Sequence, residues 1–183
     1  DYQGPHNDYQ QLMRSWLPVQ RDDLHDHITR KVRGDDLETF QLMRETGLRY
    51  HELSEEQRRY AVTSRAKREG KLLDRKDQET SFSNKYNILK GKEPCLTVTA
   101  HMSKDGYWYI HPQQNRTLSI REAARVQSFP DGFRFHGTPS NRFHQVGEAV
   151  APLVGEALAS AMLDAINRRT DENFWRSPES IRH

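Results

Sequence analysis

Between Val150 and Ile166, nine apolar residues (Val150, Leu153, Val154, Ala157, Leu158, Ala161, Met162, Ala165 and Ile166) recur at helical spacing. That pattern predicts one long helix with an apolar face that something must cover. Pro152 suits the first turn, where a missing N–H costs nothing. Arg168 and Arg169 fall where the negative end of the helix dipole favours cations. Gly155 and Ala159, on another face, allow a neighbouring element to come close. The rest of the chain is poorly equipped to cover such a helix: hydrophobic residues make up 34% of the 183 and charged residues 30%, and the mean hydropathy is -1.00. This balance suits one domain, or part of a larger one, that packs against another part or carries long solvated segments.

The formal charge is only +2, so the chain as a whole is no polycation. Gln57 to Lys76 nevertheless holds eight basic residues (Arg58, Arg59, Arg65, Lys67, Arg68, Lys71, Arg75 and Lys76) against two acids, Glu69 and Asp74. Such a window suits a phosphate-facing patch or a solvated helix surface, and charge alone does not choose between them. The single cysteine, Cys95, rules out a disulfide framework and fits a reducing, cytoplasmic setting. No apolar run approaches the roughly 20 residues of a membrane span, and no signal peptide is visible. The chain begins at Asp1 rather than Met, which suggests an excised or processed piece. His25 and His27 lack a spaced Cys or His pair, so no metal is expected.

Four stretches differ in texture. Residues 1–34 are polar. Residues 35–92 are basic and charge-rich. Within them, Asp35 or Asp36 is a candidate cap for a helix running to Glu45, with Leu37, Phe40 and Met43 on one side and Gly47 as its stop. Ser54-Glu-Glu-Gln57 resembles a capping box for a polar helix from Glu55 to about Glu69, and 70–92 reads as loop. In 93–169, Cys95–Ala100 and Tyr107–His111 are β-branched or aromatic and flank the turn-like Ser103-Lys-Asp-Gly106, so an antiparallel hairpin is expected. Ser119-Ile-Arg-Glu122 is a second capping box, and Phe129-Pro-Asp-Gly132 ends the helix that it opens. A polar tail, 170–183, follows.

Two blocks carry a family resemblance. In the first, Arg116, Leu118, Ser119, Arg121, Glu122, Ala124, Arg125, Gln127, Phe129 and Pro130 stand at fixed spacing. In the second, Gln145, Gly147, Ala149, Val150 and Pro152 do. Together they resemble the two late motifs of the DNA (cytosine-5)-methyltransferases, and the likeness is specific from about Lys85 to Met162. Pro94 to Pro112, with Thr97-Val-Thr-Ala-His101 and Tyr109-Ile-His-Pro112, also resembles a variant of that family. The resemblance implies that the basic stretch before the hairpin occupies the place of the target-recognition domain. Glu148 stands where the family has Asn.

In that family a cysteine thiolate attacks a flipped-out cytosine and S-adenosylmethionine supplies the methyl group. This chain has no Gly-x-Gly turn, no Pro-Cys-Gln loop and no Glu-Asn-Val. The expectation is therefore the carboxy-terminal, DNA-recognition part of a restriction–modification type methyltransferase, inactive alone and without catalytic residues of its own. The expected fold is α+β: a small antiparallel sheet with several helices, packed on a Rossmann-like α/β catalytic half that the chain does not contain. The partners implied are duplex DNA and that half, in the same enzyme or as a separate subunit, with S-adenosylmethionine bound mainly by the half. A non-catalytic DNA-binding or regulatory module of the same ancestry is the alternative.

By the same resemblance, Gly147, Glu148, Ala149 and Val150 are candidate cofactor contacts, although ionised Glu148 would repel the donor's carboxylate. Lys85, Tyr86, Ser103, Lys104 and Arg116 are candidate DNA contacts. Arg121, Glu122, Arg125 and Gln127 are candidate structural residues, the first three as an ion-pair network. Cys95 follows a proline, as the family nucleophile does, but Leu96 and the flanking strand pattern mark it as a packed residue.

Overall fold

The computed structural model describes residues 5–16, 24–54, 57 and 86–171. Its contacts divide the chain into two units, 1–149 and 150–183. Helix α1 (Asp8–Ser15) starts at Asn7, whose side chain accepts from the Gln10 N–H. Met13, fully buried, anchors it, and its carbonyl accepts from Asp131 N at 2.8 Å. Helix α2 (Gly34–Thr46) stops at Gly47, which takes φ 70°; only glycine enters that region freely. Its N-cap is Arg33, without a side-chain cap bond. Asp36, one of the two expected caps, lies inside the helix instead. Buried there, it accepts from the hydroxyls of Tyr86 (2.9 Å) and Tyr107 (2.5 Å).

Phe40 and Met43 of α2 are buried with Leu53, Tyr86 and Ile110, and Tyr50 and Tyr107 pack against them. Leu37, expected on the same face, is 38% exposed. The Ser54–Gln57 capping box is formed, with Ser54 N donating to Gln57 Oε1 at 2.8 Å and Gln57 N to Ser54 Oγ at 3.2 Å. The helix expected beyond it, the basic window and Lys85 lie outside the described residues.

The expected α+β architecture is overturned. Among the described residues there are helices but no strands, only two isolated bridges, Ile110 to Ile88 (parallel) and Ile110 to Thr117 (antiparallel). The chain instead forms 3₁₀ turns at Ala100–Ser103 and Gly106–Trp108. The cause is competition for the backbone of 107–111. Ile110 exchanges bonds with 87–89 on one side, while His111 and Tyr109 pair with Arg116 and Leu118 on the other. Residues 95–99 therefore find both edges taken, and Tyr109 reaches Thr97 O only through its hydroxyl, at 2.7 Å. Strand propensity yields here to tertiary context.

Helix α3 (Ile120–Val126) carries the predicted capping box. Glu122 N bonds Ser119 Oγ at 3.1 Å, and Ser119 N bonds Glu122 Oε2 at 2.7 Å. Ile120, Ala123 and Ala124 are buried in the main core with Val98, Met102, Tyr109, Leu118, Phe129, Phe135, Phe143 and Val146. Helix α4 (Pro139–Glu148) was not expected. Thr138 caps it, Pro139 opens it, and Phe143 and Val146 reach the core.

In the second unit, α5 (Pro152–Asp171) is the long helix predicted from spacing. Its large apolar side chains from Val154 on are exposed, Met162 at 64% and Ile166 at 57%. Contrary to the sequence expectation, the stretch Pro139–Arg168 is long and apolar enough to cross a membrane, by length and composition only. Ala149 is extended between α4 and α5, and Glu156 and Asp164 lie within α5. Carboxylates inside a bilayer are costly, whereas a protein partner leaves room for them at its rim.

Candidate functional site

Helix α3 is the hub. Its three polar residues, Arg121, Glu122 and Arg125, and its C-cap Gln127 each reach a different part of the chain. Arg121 is fully buried. It donates to His25 O (3.0 Å), Pro130 O (3.0 Å), Phe133 O (2.6 Å) and Asp26 Oδ2 (3.3 Å), and lies 5.7 Å from the Phe135 ring centroid. Arg125 grips Asp131 through two bonds of 2.8 and 2.6 Å. Gln127 donates to Val146 O at 3.2 Å and so ties α3 to α4. Asp26 takes φ 62°, a region Asp tolerates better than most residues. No local pattern announces Asp26 or Asp131, which lie 95 and 6 positions from their arginines.

Glu122 completes a second cluster. Arg116 donates to both its oxygens at 2.7 Å, and His111 Nε2 lies 3.7 Å away. The imidazole Nδ1 accepts from Gln113 N and Gln114 N, so Nε2 carries the proton and faces the carboxylate. Burial lowers the His111 pKa, against the pull of Glu122. Arg44 of α2 fixes the same loop through Asn115 Oδ1 and the carbonyls of His111, Pro112 and Gln114. Beside this cluster lies a cleft of about 260 Å³, lined by Leu89, Cys95, His111, Leu118, Glu122 and Val126 among others. Burial also pushes the Cys95 thiol up, which keeps it protonated and a poor nucleophile near neutral pH.

Burial alone would raise the Glu122 carboxyl, but the Arg116 hydrogen bonds and the Ser119 N–H outweigh it and bring the pKa from 4.5 down to about 2. A carboxyl depressed in the folded state stabilises fully above pH 4.5 and loses that contribution as pH falls toward 2. At roughly 1.4 kcal/mol per pKa unit, this is worth on the order of 3 kcal/mol. Glu122→Gln should therefore lower stability at neutral pH and flatten the acid limb of urea-unfolding midpoints. An acid limb identical to that of the unaltered chain would contradict the assignment.

Of the expected DNA contacts, Tyr86 is buried with its hydroxyl committed to Asp36. Ser103 is buried, and its carbonyl accepts from Arg30 and Ser140. Arg116 is bound to Glu122. Lys104 is exposed. His25 and His27 have separate partners, Arg134 and Ser119.

Of the expected cofactor contacts, Gly147 is explained by the chain itself. A Cβ there would sit 2.3 Å from Thr99 O and 2.6 Å from Ala100 N, so glycine lets α4 lie on the 100–103 turn. The Glu148 carboxylate is exposed, 3.1 Å from His144 Nε2. Ala149 packs against the main core, and Val150 is 67% exposed. A packed glycine followed by a carboxylate does not fit the carboxylate end of S-adenosylmethionine.

Comparison with known proteins gives a consistent result. The family model described as C-5 cytosine-specific DNA methylase matches residues 5–164. The type II methyltransferase M.AgeI of Thalassovita gelatinovora is 48% identical over 86 residues, covering 47% of this chain and 20% of that protein. The type II methyltransferase M.Bpa9945I of Bacillus paralicheniformis is 36% identical over 148 residues, covering 77% of this chain and 30% of that protein. The DNA (cytosine-5)-methyltransferase CMT2 of Oryza sativa subsp. japonica is 48% identical over 64 residues, covering 35% of this chain and 5% of that protein. The chain thus spans less than a third of the length of each of these relatives.

Proposed function

The chain belongs to the C-5 cytosine-specific DNA methylase family, and on that footing we propose that it is the DNA-recognition and late-motif part of a cytosine-5 methyltransferase. The observation that carries this reading is coverage: an alignment over 77% of the chain accounts for only 30% of a bacterial relative. The methyl donor, S-adenosylmethionine, and the attacking thiolate then belong to a catalytic half that carries the Gly-rich turn and the Pro-Cys loop. What this chain contributes is placement. Arg121, Arg125, Glu122 and Gln127 brace the loops around α3, and α4 and the 100–103 turn are held together through Gly147. Duplex DNA is the proposed substrate, gripped through exposed cations such as Lys104.

The exposed apolar residues of α5 support docking on the catalytic half. Co-expression of the chain with such a half should yield a complex that survives purification. Leu158→Lys together with Met162→Lys should abolish it and leave the helical content of the chain unchanged. Recovery of the doubly substituted chain in an undiminished complex would refute this use of α5. Glu148 favours a second reading, a non-catalytic DNA-binding or regulatory module. Under that reading the chain binds duplex DNA but restores no methyl transfer to any catalytic half.

A further inference from the structure

The Arg121 cluster presents a cation that its internal pairing does not use. Asp26 faces two guanidiniums, Arg121 at 3.3 Å and Arg142 at 2.8 Å. A third, Arg134, places Nη2 2.8 Å from His25 Nε2. A guanidinium only donates, so this contact brings it no counter-charge, and among the described residues no carboxylate pairs with Arg134. Three guanidiniums thus meet the neighbours His25 and Asp26, which bring one carboxylate between them, and Arg134 is exposed.

Its presentation is rigid. The rings of Phe133 and Phe135 both lie against Phe129, with centroids 5.0 and 5.1 Å away. Arg134, between them, is exposed while Phe135 is buried. Arg121 clamps the Pro130 and Phe133 carbonyls just before it, and Arg142 fixes Gly137 O at 2.9 Å just after it. Like charges gathered on a surface cost stability rather than add to it, and they attract polyanions. We propose that Arg134, with Arg142 of the same cluster, is a phosphate contact for the backbone of duplex DNA.

This contact rests on the duplex-DNA reading above, and one titration series separates the two. The full chain is titrated onto a fluorescent mixed-sequence duplex between roughly 50 and 200 mM salt. Arg134→Gln should weaken binding several-fold and lower the slope of log affinity against log salt by about one. Arg134→Lys should restore most of both, and the thermal unfolding of each variant should match that of the unaltered chain. Unchanged slope and affinity in Arg134→Gln, with the unaltered chain binding normally, overturn the phosphate contact alone. Absence of duplex binding by the unaltered chain at low salt overturns the DNA reading and the contact with it. Tighter binding of single-stranded RNA than of duplex, lost in Arg134→Gln, overturns the assignment to DNA.

Discussion

Arg121→Met is expected to destabilise the first unit by about 4 kcal/mol, within the range for removing one partner of a buried ion pair. Methionine fills much of the volume but offers no donor. The carbonyls of His25, Pro130 and Phe133 then lose the partner that the fully buried Arg121 side chain supplies. Each buried acceptor left unmade costs about 1–3 kcal/mol. Asp26 keeps Arg142, which limits the loss to less than the full sum. Arg121→Lys should recover little, because one ammonium cannot span acceptors that a planar fork reaches together. Urea unfolding of the full chain measures this through the transition midpoint. A loss below about 1 kcal/mol would mean that the four bonds are not made together in solution.

Gly147→Ala sets two rules against each other. In the interior of a helix, alanine is better than glycine by about 1 kcal/mol. At this position, however, the new methyl would meet Thr99 O at 2.3 Å and Thr99 C at 2.4 Å. These are backbone atoms and cannot rotate away, so α4 must separate from the 100–103 turn. Overpacking of this kind costs about 3 kcal/mol, and the clash wins. Gly155→Ala is the control: nothing lies within 4 Å of its Cβ position, so propensity alone acts and the chain should gain roughly 0.5–1 kcal/mol. If both substitutions stabilise, the close approach of Thr99 to Gly147 is wrong.

These residues also mark what could be read from the sequence. The capping boxes at Ser54 and Ser119 and the stop at Gly47 are bonds between neighbours three or four positions apart, and the sequence displays them directly. The long helix from Pro152 was legible for the same reason, since its period is written in consecutive residues. The hairpin failed because strand propensity at Cys95–Ala100 carries no information about who occupies the edges of 107–111, and those edges belong to 87–89 and 116–118. Gly147 was legible as a site of close approach, but the sequence did not show that the Thr99 backbone is what approaches it. The arginines of α3 were visible as a group. Their partners, at His25, Asp26 and Asp131, were not, because only the fold brings them together.

The role proposed for this chain is to recognise and brace, with catalysis left to the other half. Transfer of labelled methyl groups from S-adenosylmethionine to duplex DNA tests it most directly, measured for the chain alone, for a catalytic half alone and for the two together. Transfer is expected only by the pair. Transfer by this chain alone would contradict it.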